Sequence, residues 1–170
     1  MMLSPIEQRI VDCVEEYGWF GLSVSPAAES DDPEEWFTYT IGLPKTHGWP
    51  EIICFGLVGD GAHGLLADAI AECAAKGLDP IPGLLLTDVI RGYNALLVDC
   101  SHIPDHYFGS AIWYARRAGT PVPPARLQLL WPDKAGKFPD DPDCSAEVRE
   151  LQTPVELASD GPHPPCRGGF

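Results

Sequence analysis

The strongest constraint on how this chain can fold is a short apolar run, Ile52-Ile53-Cys54-Phe55-Gly56-Leu57, with no polar residue to mark an outer face. A run this short and continuous predicts a strand covered on both faces. Layers must therefore pack on either side of it. The best-marked partner is an N-terminal helix. Ser4-Pro5-Ile6-Glu7 fits a capping box with proline at the first helical position. Ile6, Ile10, Cys13, Val14 and Tyr17 then form one stripe, Arg9, Asp12, Glu15 and Glu16 face water, and Gly18 ends the helix.

The same logic predicts a second helix over 61–76, with Asp60 as N-cap, Gly77 as C-cap and Ala62, Leu65, Leu66, Ala69, Ile70 and Cys73 buried. A third starts near Pro104-Asp105, turns Tyr107, Phe108, Ala111, Ile112 and Ala115 inward, and ends by Gly119. Strands are expected at 19–25, 37–41, 52–57, 95–98 and 127–131; Phe37, Tyr39 and Ile41 share one face by strict alternation. The order α-β-β-β-α-β-α-β is not the regular alternation of a doubly wound fold. It predicts an α+β class, three helices packed on a mixed or mainly antiparallel sheet of about five strands. Residues 1–142 read as a single compact domain, and 143–170 as a Pro/Asp/Gly-rich extended tail.

Charge limits the partners. With 11 basic and 25 acidic residues the formal charge is −14, which argues against nucleic-acid phosphates and anionic membranes as ligands. Residues 1–35 hold nine acids against Arg9 alone, and the loop 26–35 reads as solvated. No signal peptide or membrane-spanning run is legible. The six cysteines form no C-x-x-C pair, and four of them sit in apolar runs. Free thiols in a cytoplasmic protein are therefore the expectation, with a disulfide involving Cys144 or Cys166 as the alternative.

Candidate chemistry is confined to loops. His47 and Glu51 lie four apart before the apolar strand, where a carboxylate can orient an imidazole as an acid–base pair; a self-satisfied turn is the alternative. His63 falls in the first turn of the second helix, whose positive end favours neutral imidazole. These three are the catalytic candidates. His102 and His106, with Asp105, are the metal candidates, although Pro104 breaks the helical spacing between the histidines. Trp49, Tyr93 and Trp113 are the aromatic binding candidates; core filling is their alternative. The stretch Gly56 to Gly64 runs from strand to helix and can be a structural turn or an anion-binding loop, yet it holds no Lys or Arg. No nucleotide or hydrolase fingerprint occurs, and no sequence signal names a cofactor.

Five ordered motifs resemble a known family: Tyr39-Thr40-Ile41-Gly42-Leu43 followed by His47 to Leu57; Arg91-Gly92-Tyr93; His102 to Gly109 with Trp113-Tyr114; Leu127 to Asp133; and Gly136-Lys137-Phe138-Pro139. Together they resemble the bacterial family catalogued as domain of unknown function 4262, over roughly residues 10–142. His106 stands where the family usually has Tyr, and Asp140 where an aromatic is more usual. The resemblance brings no catalytic residue with it. Two functions are therefore expected to compete. One is an acidic protein-binding or accessory module that docks a basic protein. The other is a small-molecule enzyme, metal-assisted or using His/carboxylate hydrolysis.

Overall fold

The computed structural model describes residues 2–25, 36–57, 60–121 and 126–153. The acidic loop 26–35, most of the proline connector, and the tail from Pro154 onward with Cys166 lie outside the described residues. The elements run α1 (Pro5–Tyr17), β1 (Phe20–Val24), β2 (Phe37–Ile41), α2 (Leu43–His47), β3 (Ile52–Phe55), α3 (Gly61–Lys76), β4 (Leu85–Ile90) and β5 (Tyr93–Asp99). A 3-10 turn (Asp105–Phe108) then leads into α4 (Gly109–Ala118), β6 (Leu127–Leu130) and α5 (Ala146–Leu151). The fold is α+β, as expected, on one mixed six-stranded sheet in the order β1-β2-β3-β6-β5-β4. Every pairing is antiparallel except that of β3 with β6.

The apolar run behaves as its composition requires. Ile52 and Cys54 join a core with Ala62, Leu66, Ala69 and Cys73 of α3, while Ile53 and Phe55 join a second core with Ile10 and Val14 of α1 and Ala111 and Tyr114 of α4. Thus α3 covers one face of the sheet, and α1 and α4 cover the other. All five described cysteines are free thiols; burial pushes those of Cys54 and Cys100 up to about 12. Among the described residues no helix is long and apolar enough to cross a membrane.

In α1 the capping box is complete: the Glu7 N–H donates to Ser4 Oγ and the Ser4 N–H to Glu7 Oε2. The expected stripe is shorter than its periodicity suggests. Ile10 and Val14 are buried, but Ile6 and Tyr17 are exposed beyond the edges of the contact. α3 has the expected bounds, but Asp60 makes no side-chain cap bond.

Three elements depart from expectation, each held by side-chain hydrogen bonds that the local apolar pattern does not show. The short α2 is bracketed by the left-handed glycines Gly42 and Gly48, and its first N–H groups are served by Glu51. β4 was not expected. Its ladder to β5 shifts register between Leu86 and Ile90, and there the N–H groups of Thr87 and Asp88 donate to the carboxylate of Glu72 at 3.1 and 2.8 Å. α5 lies within the stretch expected to be extended. Ser145 caps it, and the Arg149 guanidinium donates to the carbonyls of Pro139, Asp141, Pro142 and Cys144, ordering that loop.

Glu72 supports a first prediction. Burial pushes its carboxyl up, but the N–H groups of Asp88 and Thr87 and the Lys76 ammonium outweigh it and hold it below the usual range. Its contribution is therefore present above the unfolded glutamate range and lost as the pH falls through the depressed value. Glu72→Gln leaves one β4 N–H without a good acceptor and should cost about 1–3 kcal/mol. Urea unfolding will measure the loss, and hydrogen exchange should quicken at Thr87 or Asp88.

Candidate functional site

The strand order reverses between β3 and β6. The chain steps outward from β3 across α3 to the far edge strand β4, then returns through β5 to β6 beside β3. In open, mostly parallel α/β sheets the crevice outside the carboxyl ends at such a reversal is where ligands sit, and β3 with β6 forms the one parallel pair among the described strands of this mixed sheet. Here both carboxyl ends open on one edge, together with the start of α3 and the β4–β5 turn.

A cavity of about 330 Å³ occupies that edge, lined by Leu57, Gly61, Leu65, Ile90, Tyr93, Trp131, Pro132, Asp133 and Lys134. Each lining group arrives for a local reason. Leu57 follows β3, and Gly61 and Leu65 lie on the first turns of α3. Trp131 continues β6 on the same side as Leu127 and Leu129, and packs with them against the α3 core. Its indole N–H donates to the Phe55 carbonyl at 2.9 Å, tying the two parallel strands together where they end. Tyr93 starts β5 and its hydroxyl donates to the Lys134 carbonyl at 2.9 Å. The Asp133 carboxylate is already committed, accepting the N–H groups of Ala135, Lys137 and Ser145. Those of Lys137 and Ser145 lead in holding it below the usual range. Its role is to shape the turn at the floor of the cleft.

Of the catalytic, metal and aromatic binding candidates read from the sequence, Tyr93 alone lines this cavity, beside Leu57 and Gly61 of the glycine-rich stretch. Trp49 and Trp113 are half-buried, one against each core. His47 is exposed and stacks on Trp49 with ring centroids 4.0 Å apart. Glu51 is turned elsewhere: it is buried, accepts from Thr40 Oγ1 at 2.7 Å, the Gly42 N–H at 2.9 Å and the Leu43 N–H at 3.4 Å, and so forms no pair with His47. Burial pushes its carboxyl up to about 7, against the pull of those three donors. His63 is exposed and stacks on Trp19 at 5.2 Å, over Gly21.

The metal candidates are also apart in role. Asp105 pairs with Arg126 at 2.8 Å, and Arg126 in turn lies over the Phe108 ring. His106 stacks on Tyr107, and His102 is exposed in the turn after β5. Among the described residues no three His, Cys, Asp or Glu side chains are grouped to hold a metal ion.

The sequence marks Trp131 as one of several aromatics suited to a pocket or a core and Leu57 as part of the glycine-rich stretch, but it does not point to Leu65, Ile90 or Lys134 as site residues. One signal was available, because the glycine-rich stretch after the apolar strand marks this rim. The stretch itself holds no cation, and Lys134 of the turn after β6 brings one to the same cleft. No curated protein and no solved structure matches the chain. The family model described as Domain of unknown function (DUF4262) matches residues 13–145, a span that includes every lining residue of the cleft, and the chain belongs to that family.

Proposed function

We propose that this protein binds a small, flat, largely apolar molecule in the cleft at the carboxyl ends of β3 and β6. The observation that carries this is the cavity itself: about 330 Å³, the lower end of the usual ligand-site range, walled by an indole, a phenol and three aliphatic side chains. Aromatic walls favour a planar guest through stacking and large contact area. Binding is favoured over histidine–carboxylate hydrolysis because among the described residues no histidine lines the cleft and its phenol and carboxylate are engaged, Tyr93 with a carbonyl and Asp133 with three backbone N–H groups. Docking of a basic protein ranks second. It rests on charge alone, with Asp12, Glu15 and Glu16 exposed along α1.

The test uses indole as the probe and two-dimensional NMR of the full chain. Indole should shift the Trp131 and Tyr93 resonances in a saturable way. Leu65→Trp, which fills the cleft from α3 without removing a wall, should weaken that binding at least about tenfold, or ~1.4 kcal/mol, while leaving the thermal midpoint unchanged or higher. Indole that leaves Trp131 and Tyr93 unmoved, or that binds the filled variant equally well, would overturn the proposal.

A further inference from the structure

We infer that Gln152 is a positioning residue of the cleft, and that the segment after the family-matched region sets the placement of its Trp131 wall. The inference rests on the binding reading above for its consequence, but not for its geometry. Gln152 is 3% exposed at the end of α5. Its amide pairs with one residue in both directions: the Trp131 N–H donates to Oε1 at 3.0 Å, and Nε2 donates to the Trp131 carbonyl at 2.7 Å. The amide orientation follows from chemistry, since each end meets its complement. This is the bonding of a neighbouring strand, supplied by one side chain at the point where β6 runs out.

The clasp is held from below. Gln128, buried on β6, donates from Nε2 to the Gln152 carbonyl at 2.7 Å. Gly56, at the end of β3, admits the Leu151 backbone so closely that a Cβ there would lie 2.6 Å from the Leu151 carbonyl oxygen. Together with the indole bond to Phe55, these contacts fix Trp131 at three points: N–H, carbonyl and ring nitrogen. Two of the three depend on Gln152, which lies beyond residue 145, where the family match stops. Any member of the family without such a residue must hold this wall in another way.

Two variants separate positioning from mere stability. Gln152→Met keeps the length and removes both hydrogen bonds. The Trp131 indole N–H resonance, assigned with Trp131→Phe, should move in this variant without indole present, and indole affinity should fall about tenfold. Gln152→Glu supplies the rescue. A protonated carboxyl donates and accepts as the amide does, whereas a carboxylate cannot donate to the Trp131 carbonyl. Across pH 5–9, with the native chain as reference, Gln152→Glu should show the native Trp131 resonance at the acidic end and depart from it at the basic end, where the carboxylate still accepts the Trp131 N–H but repels the carbonyl it can no longer donate to. An unmoved Trp131 resonance in Gln152→Met, or a pH-independent one in Gln152→Glu, would overturn the inference. Native protein that ignores indole, with Trp131 still responding to these variants, would sink the binding reading and leave the positioning role standing.

Discussion

Glu51→Ala should lower the unfolding free energy by about 3 kcal/mol at neutral pH, from two buried N–H donors left without a partner at ~1–3 kcal/mol each. The carboxylate closes the turn from β2 through α2 to β3. It accepts from the Gly42 and Leu43 N–H groups and from Thr40 Oγ1, while that hydroxyl oxygen accepts the Ile52 N–H at 2.9 Å. The same group should give the protein a pH dependence of unusual sign. Burial raises its folded value from 4.5 to about 7. Between those values the unfolded chain releases this proton and the folded chain keeps it. Stability should therefore decline as pH rises through that window, by up to ~1.4 kcal/mol per pH unit from this group, and level off above it. Urea unfolding of the native chain and of Glu51→Gln at several pH values isolates the effect as their difference. The difference should shrink with rising pH between about 4.5 and 7; parallel curves would show that Glu51 titrates alike in both states.

This carboxylate also illustrates what could be read in advance. Spacing brought His47 and Glu51 to attention as a pair, but spacing does not reveal which way a side chain turns. Glu51 instead meets donors nine and eleven residues back, because β2 and β3 lie side by side in the sheet. Elements marked by a local pattern were legible: the α1 capping box and the α3 stripe ended by Gly77, whose hydrogen bonds close within the helix, and the β3 run, whose unbroken apolar composition implies cover on both faces wherever its partner strands come from. Elements completed from a distance were not. The β4 burial pattern carries Thr87 and Asp88 in its middle, and Glu72 and Lys76 of α3 together make that arrangement tenable, the first through the two N–H groups and the second through the side chains. Residues from 143 onward read as tail, and nothing local shows that Arg149 of α5 gathers the carbonyls of Pro139, Asp141, Pro142 and Cys144. The cleft was half legible. Tyr93 stood out as a loop-edge aromatic and the glycine-rich stretch marked a strand-to-helix rim. Trp131 read as the end of a strand and as an aromatic that could fill either a pocket or a core; which of these it does depends on β6 lying beside β3, a fact of topology and not of local pattern.

Gly56→Ala should unfasten the cleft from behind. Gly56 has φ of +90°, where an L side chain costs about 1–2 kcal/mol by itself. The added Cβ would also lie 2.6 Å from the Leu151 carbonyl oxygen and 2.8 Å from its Cβ. That collision is with backbone and cannot be relieved by a rotamer, so α5 must retreat and take Gln152 with it. A total loss of about 3 kcal/mol follows, or roughly 6–12 °C in thermal midpoint for a domain of this size. Gly92→Ala provides the control: its φ is +82° but nothing lies within 4 Å of the new Cβ, so it carries the backbone strain alone. Gly56→Ala should thus fall well below Gly92→Ala in stability. It alone should speed hydrogen exchange at the Trp131 amide, whose acceptor is Gln152 Oε1. Equal losses in the two variants, with the Trp131 amide still protected, would mean that α5 adapts without releasing β6, and that the carboxyl edge of the sheet keeps its shape without the clasp.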